Sequence, residues 1–147
     1  MKLPPGITGF FDGSASFQMV DSKKFRSICY EVSMHPAIKL LTIQEATYPV
    51  NYMCAKFVFY NEPIQVVMNA YYPLFTTTVI AEDGHFVFCD LPEEFCLFEQ
   101  HYQCITVEDL ERMIEEHYLE QLSEVEREQV AFWKPERLGE VIFNTWD

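Results

Sequence analysis

The sequence predicts a single α+β domain: an antiparallel β-meander of about five strands, with N-terminal and C-terminal helices packed on one face. Three observations predict it. Between Ile38 and Asp90 the chain is a succession of short runs rich in β-branched and aromatic residues. The links between those runs are too short for parallel crossovers, so neighbouring strands must run antiparallel. The last third carries helix-capping signatures followed by helical spacing of apolar residues. A chain of 147 residues, 49% hydrophobic and 16% aromatic, fits one domain over residues 1–147. It can bury about 69% of its unfolded surface, enough for a core without disulfide staples.

The first twenty residues read as loop and short strand, punctuated by Pro4-Pro5-Gly6, Gly9 and Asp12-Gly13. Asp21 is positioned to cap a helix over about 22–33, in which Phe25, Ile28, Cys29 and Val32 share one face. His35-Pro36 ends it. The strands expected are Ile38–Glu45, Tyr52–Tyr60, Ile64–Asn69, Phe75–Ala81 and His85–Asp90. Asp83-Gly84 supplies the positive φ angles of a tight hairpin turn. That turn would set Ala81 opposite Phe86 and Val79 opposite Phe88, with all four on a buried face.

Thr106-Val107-Glu108-Asp109 opens a helix whose apolar spacing runs to about Gln121. Ser123-Glu124-Val125-Glu126 is a full capping box opening a second helix, with Val125, Val130 and Phe132 as its apolar positions. Pro135 breaks the chain, and Leu138, Val141, Ile142 and Trp146 form a last short helix, or a strand through Val141–Phe143. Two tryptophans in so short a tail imply that it is docked, as a structural lock more than as an interface hot spot.

Charge is the main functional clue. Residues 1–60 carry four acids and six bases, a net of +2, whereas residues 61–147 carry 19 acids and four bases, a net of −15. A total of −13 disfavours nucleic acid and anionic membrane as partners and favours fast capture of something basic. Glu108, Asp109, Glu111, Glu124 and Glu126 lie in first helical turns, where carboxylates favour the helix dipole. Glu115, Glu116, Glu120 and Glu128 have no such local role, and Glu111/Glu115, Glu116/Glu120 and Glu124/Glu128 are like-charge pairs at i, i+4. A second acidic group, Glu82, Asp83, Asp90, Glu93, Glu94 and Glu99, is interleaved with Phe95, Phe98 and Tyr102. Aromatic anchors ringed by charge are how protein interfaces obtain affinity and steering. The alternative is a solvated face with core aromatics beneath.

Catalytic and metal chemistry find little support. Five cysteines without a CxxC, with no secretory leader before them and no run of 18 apolar residues, fit free thiols in a reducing cytoplasm. Cys96-x4-His101-x2-Cys104, with Cys89 upstream, matches no standard zinc spacing. The flanks of the four histidines carry no cysteine-nucleophile signature. Adjacent Glu115 and Glu116 point about 100° apart on a helix and would not share a catalytic site. Five glycines without a phosphate-loop pattern argue against a nucleotide, so no cofactor is expected.

One resemblance bears on function. The stretch from Leu122-Ser123-Glu124 through Phe132-Trp133-Lys134-Pro135, then Leu138-Gly139-Glu140-Val141-Ile142-Phe143-Asn144 and Trp146-Asp147, resembles the ending of a group of small bacterial proteins. Proteins of this size and character include immunity proteins of toxin–immunity systems, contact-dependent growth inhibition among them. The resemblance implies a bacterial cytoplasmic protein that blocks one cognate toxin, and it supplies no binding residues. Together with the charge it gives the leading expectation: a non-enzymatic, stoichiometric inhibitor of a basic toxin domain such as a nuclease. The partner-binding residues expected are Glu82, Asp83, Glu93, Glu94, Glu99, Glu115, Glu116 and Glu120. The alternatives are an adaptor or structural subunit acting as a homodimer, and a metal protein or enzyme built on Cys89, Cys96, His101 and Cys104.

Overall fold

In the computed structural model the residues described are 1–11, 18–80 and 85–146. Helix α1 (Ser22–Val32) begins where the Asp21 carboxylate accepts the amides of Lys23 and Lys24, and it buries Phe25, Ile28, Cys29 and Val32. Strands β1 (Ile38–Gln44), β2 (Tyr52–Phe59), β3 (Glu62–Asn69), β4 (Leu74–Ile80) and β5 (Phe86–Cys89) then follow as an antiparallel meander in sequence order. A two-residue strand, β6 (Gln103–Cys104), pairs parallel with the start of β4. The α+β antiparallel meander expected from the sequence is therefore the observed fold.

Two turns show how local sequence sets the meander. Phe59 pairs with Glu62, leaving Tyr60 and Asn61 as a two-residue turn with φ of +46° and +65°. Both residues take positive φ, as a primed hairpin turn demands. Glu62 and Pro63 are thus strand residues rather than a link. Pro63 is tolerated because β3 meets β4 only from Gln65 onward, so no bond from its nitrogen is missed there. In β1 the register shifts between Leu40 and Thr42, and the extra residue, Leu41, is exposed.

The sheet is covered on both faces, which corrects the expectation of helices on one face. Alternate strand residues point to opposite sides. Ala55 and Val66 pair and face α1 and the segment 93–102, in a core with Phe25, Phe57, Phe95 and Phe98. The next pair, Cys54 and Val67, faces the other way, into a core with Leu3, Ile7, Leu110, Leu138 and Ile142. That second layer is built from the N-terminal loop, α3 (Val107–Leu110) and α5 (Leu138–Ile142). β3 lies between the layers, and Ile64 to Asn69 is buried without interruption.

Three further expectations change. Ile80 pairs with Phe86 and Val79 with Val87, one residue out from the register expected. A one-residue slip inverts the faces: Val79 and Val87 stand exposed at 36% and 47%, while Phe86 and Phe88 pack toward the second core. The Asp83-Gly84 turn itself lies outside the described residues. The helix expected to reach Gln121 stops at Leu110. Its continuation is drawn into pairing with the tail: Met113 bridges Arg137, Leu138 N–H donates to Arg112 C=O at 3.1 Å, and Ile114 N–H donates to Glu136 C=O at 3.2 Å. Only a short 3-10 turn, Glu116–Tyr118, remains helical in that stretch.

Helix α4 (Glu124–Trp133) keeps its capping box, and Lys134 ends it with φ +50°. Phe132, expected as an apolar packing position, is instead 73% exposed. The tail is then locked by three buried asparagines. Asn51 and Asn69 each donate from Nδ2 to the carbonyls of Ile7 and Ile142, at 2.8–3.0 Å. Asn144 donates to Thr8 C=O and Val141 C=O, while its own amide donates to Asn51 Oδ1 at 2.7 Å. Buried amides of this kind hold a single arrangement because any other leaves them unpaired.

Candidate groove on the tail layer

The tail layer carries a groove of about 720 Å³ between the end of α4, α5, the last residues and β5. Its apolar lining is aromatic: Tyr52, Phe86, Phe88, Phe143, Trp133 and Trp146. Tyr52 meets Phe86 and Phe143 edge-on, with centroids 5.5 and 6.2 Å apart. Trp133 and Trp146 lie parallel, 4° apart with centroids at 6.4 Å. The two tryptophans differ in exposure. Trp146 is buried, its amide held by Asn144 Oδ1 at 3.2 Å, whereas Trp133 is 40% exposed. Trp133 Nε1 donates to Gln129 one helical turn back at 3.1 Å, which fixes the indole. Burial raises the Tyr52 phenol above its ordinary pKa, so it stays protonated as a wall of the groove.

The polar lining is Glu111, Arg137, Glu140 and His85. Arg137 Nε lies 3.6 Å from Glu111 Oε2, a loose ion pair. Glu140 is held more tightly: its Oε2 accepts the amides of Glu136 at 2.6 Å and Arg137 at 2.8 Å, capping α5. Beside the groove stand Met113, 68% exposed, and Phe132, edge-on to Trp133 at 5.3 Å. Large exposed apolar side chains gathered at a concave site with a few fixed polar groups are the usual marks of a binding surface.

The structure separates the acids read from the sequence. Glu82 and Asp83 lie outside the described residues. Glu93, Glu94 and Glu99 belong to the layer of α1, where a 3-10 turn (Glu93–Phe95) and α2 (Leu97–His101) sit on the first core. The aromatics interleaved with them are not interface anchors: Phe95, Phe98 and Tyr102 are buried. The cations of α1 are close by, with Lys24 Nζ 5.6 Å above the Tyr102 ring.

Glu115, Glu116 and Glu120 are exposed on the opposite layer. Glu120 pairs with Lys2 at 3.0 Å, and that cation holds its carboxyl below the usual range. Glu115 is 3.3 Å from His117 Nδ1. Of the acids, Glu111 and Glu140 line the groove; Glu115 and Glu116 follow the stretch tied to 136–138 on the same layer, and Glu136 precedes α5. The sequence reading missed Glu111, Glu136 and Glu140 as site residues because their neighbourhood depends on the pairing of 112–114 with the tail.

Glu126 leaves the acidic surface altogether. It is fully buried. Oε1 accepts Gly6 N–H at 2.8 Å and Ser123 N–H at 3.1 Å, and Oε2 accepts Thr8 N–H at 3.2 Å and Thr8 Oγ1 at 2.5 Å.

Cys89, Cys96, His101 and Cys104 do not converge. Cys96 and His101 are exposed, Cys89 Sγ contacts Thr77 Oγ1, and Cys104 Sγ contacts the Ile105 carbonyl. Among the described residues no three His, Cys, Asp or Glu side chains come together as a metal would require, and no helix is long and apolar enough to cross a membrane. No protein-family model matches the chain, and no curated protein or solved structure matches it.

Proposed function

We propose that this protein is a non-enzymatic, stoichiometric binding protein of immunity type, which works in the cytoplasm and neutralises a basic partner such as a toxin nuclease domain. It docks through the tail layer, with the aromatic groove at the centre of the contact and Glu111, Glu115, Glu116, Glu136 and Glu140 around it. The observation that carries the reading is the pairing of exposed aromatics with surplus carboxylates on one layer. On the α1 layer the carboxylates have lost their aromatics to the core and have lysines nearby. A nuclease must present cations to phosphates. An acidic protein that reaches those cations first excludes the substrate by charge and bulk, and its long-range field speeds encounter.

The test is direct. Mixed with the basic domain encoded beside it, the protein gives a one-to-one complex that abolishes the domain's activity. Replacing Glu115, Glu116 and Glu136 together by lysine slows association by about tenfold and leaves the fold intact. An unchanged association rate overturns the assignment.

A second reading has one specific observation in its favour. Tyr30, Met34, Leu41 and Tyr48 are all exposed along α1, β1 and the turn after it, and β1 is an edge of the sheet. Such an edge suits pairing with a second copy. It predicts self-association that salt does not weaken, seen by sedimentation at low and high ionic strength.

A further inference from the structure

We infer that the groove on the tail layer receives an arginine side chain of the basic partner, its guanidinium lying against the indole of Trp133 and paired with the carboxylates of Glu111 and Glu140. This rests on the functional reading above and names the chemistry of its central contact.

The charge of the lining selects a cation. Glu111 is paired with the guanidinium of Arg137, the one arginine among the described lining residues, and Glu140 and His85 complete the polar lining. The Glu111–Arg137 contact at 3.6 Å is well beyond the 2.7–2.9 Å of a strong charge-assisted hydrogen bond, so Glu111 keeps acceptor capacity. Glu140 is oriented through Oε2 by two backbone amides. Its Oε1 accepts no hydrogen bond from the described residues. A wholly apolar occupant would strip water from both carboxylates without replacing those bonds, at a cost in affinity. An anionic occupant would meet the carboxylates of Glu111 and Glu140 in the lining.

The walls favour guanidinium over ammonium. An indole face is the best cation–π acceptor among side chains, and Trp133 is a fixed, partly exposed indole. A planar guanidinium can stack on it while its edge forms a two-point contact with a carboxylate, which an ammonium cannot do. The volume, about 720 Å³, leaves room for the aliphatic stem and its neighbours along the aromatic lining.

The test follows the two indole N–H resonances of the intact protein by NMR while a short arginine-bearing peptide is titrated in. Controls are the same peptide with citrulline, which has arginine's shape without its charge, and with lysine. The expected result is movement of the Trp133 resonance with arginine, binding weaker by about tenfold or more with citrulline, and an intermediate lysine affinity. Trp133→Leu and Glu111→Gln should each weaken the arginine peptide, while Glu93→Gln with Glu99→Gln on the opposite layer should not.

Equal affinity for citrulline, no binding at all, or binding that follows the Glu93 and Glu99 substitutions overturns the inference. Its failure is separable from that of the functional reading. If the basic domain still binds Trp133→Leu with unchanged affinity, the arginine anchor is wrong and inhibition stands. If no basic domain binds while the arginine peptide does, the groove chemistry stands and the inhibitor reading falls.

Discussion

Thr8 Oγ1 donates to Glu126 Oε2 at 2.5 Å across 118 residues of chain. The same carboxylate caps α4 through Ser123, so one buried acid fastens the N-terminal loop to the helix before the tail. Glu126→Gln keeps the shape but turns an amide nitrogen toward donors. Hydrogen bonds to a charged group contribute about 1.5–3 kcal/mol each, and a buried donor left unpaired costs a similar amount. The expected loss is about 3 kcal/mol in urea unfolding, against less than about 0.5 kcal/mol for exposed Glu124→Gln. Equal effects at the two positions would show that the buried contact adds no stability.

Asn144 holds the tail through two side-chain donations and a backbone N–H that donates to Asn51 Oδ1. Asn144→Ala is expected to cost about 2–3 kcal/mol, because Thr8 C=O, Val141 C=O and the Trp146 amide would lose their side-chain partner in a buried site, while the backbone bond to Asn51 Oδ1 remains. The tail should loosen first, so tryptophan emission should shift to the red before global unfolding. A single unfolding transition with native emission up to the midpoint would contradict this.

Gly139 sets how closely α5 approaches β5. A Cβ there would lie 2.6 Å from both Cε2 and Cζ of Phe88, and 3.3 Å from the Leu110 carbonyl. Gly139→Ala should therefore destabilise by about 1–3 kcal/mol through overpacking. In a Phe88→Leu background the same change should cost less, a coupling that a double-mutant cycle measures. Strict additivity would place the strain elsewhere.

Alkaline pH should unfold the protein through its buried thiols. Burial pushes Cys29 up to about 12 from 9.0, with Arg26 acting the other way, and pushes Cys54 up to about 11. Below pH 9 both thiols are protonated in folded and unfolded chains, and their contribution is constant. Between about 9 and 12 the unfolded chain loses protons that the folded chain keeps, so stability falls as pH rises. The denaturation midpoint should fall across that window, and a Cys29→Ala, Cys54→Ala variant should fall less steeply. Parallel curves would assign the loss to other groups.

What could be read from the sequence was local. α1 followed from Asp21 and four apolar positions at helical spacing, and α4 from its capping box. The meander followed from short links. What escaped was set by distant contacts. The stretch after Leu110 has helical spacing, yet its backbone bonds go to Arg137 and its neighbours, and long-range pairing won over propensity. Val79 lies on the face opposite the one expected because a one-residue change of register inverts a whole strand. Val66-Val67-Met68, an unbroken apolar run, carried a signal of burial on both faces that period-two reasoning passed over. For the site, the acids were visible but their grouping was not: Glu126 went inside, Glu93 and Glu99 went to one layer, and Glu115 and Glu116 went to the other. The two tryptophans looked alike as tail anchors, and only their environments separate Trp146 the lock from Trp133 the exposed wall.

The central claim is that the tail layer, and not the α1 layer, meets the basic partner. Amide hydrogen exchange on the one-to-one complex tests it most directly. The account predicts added protection in residues 111–116 and 133–146, with 93–101 unchanged. Protection confined to 93–101, or to β1 and its neighbours, would contradict it.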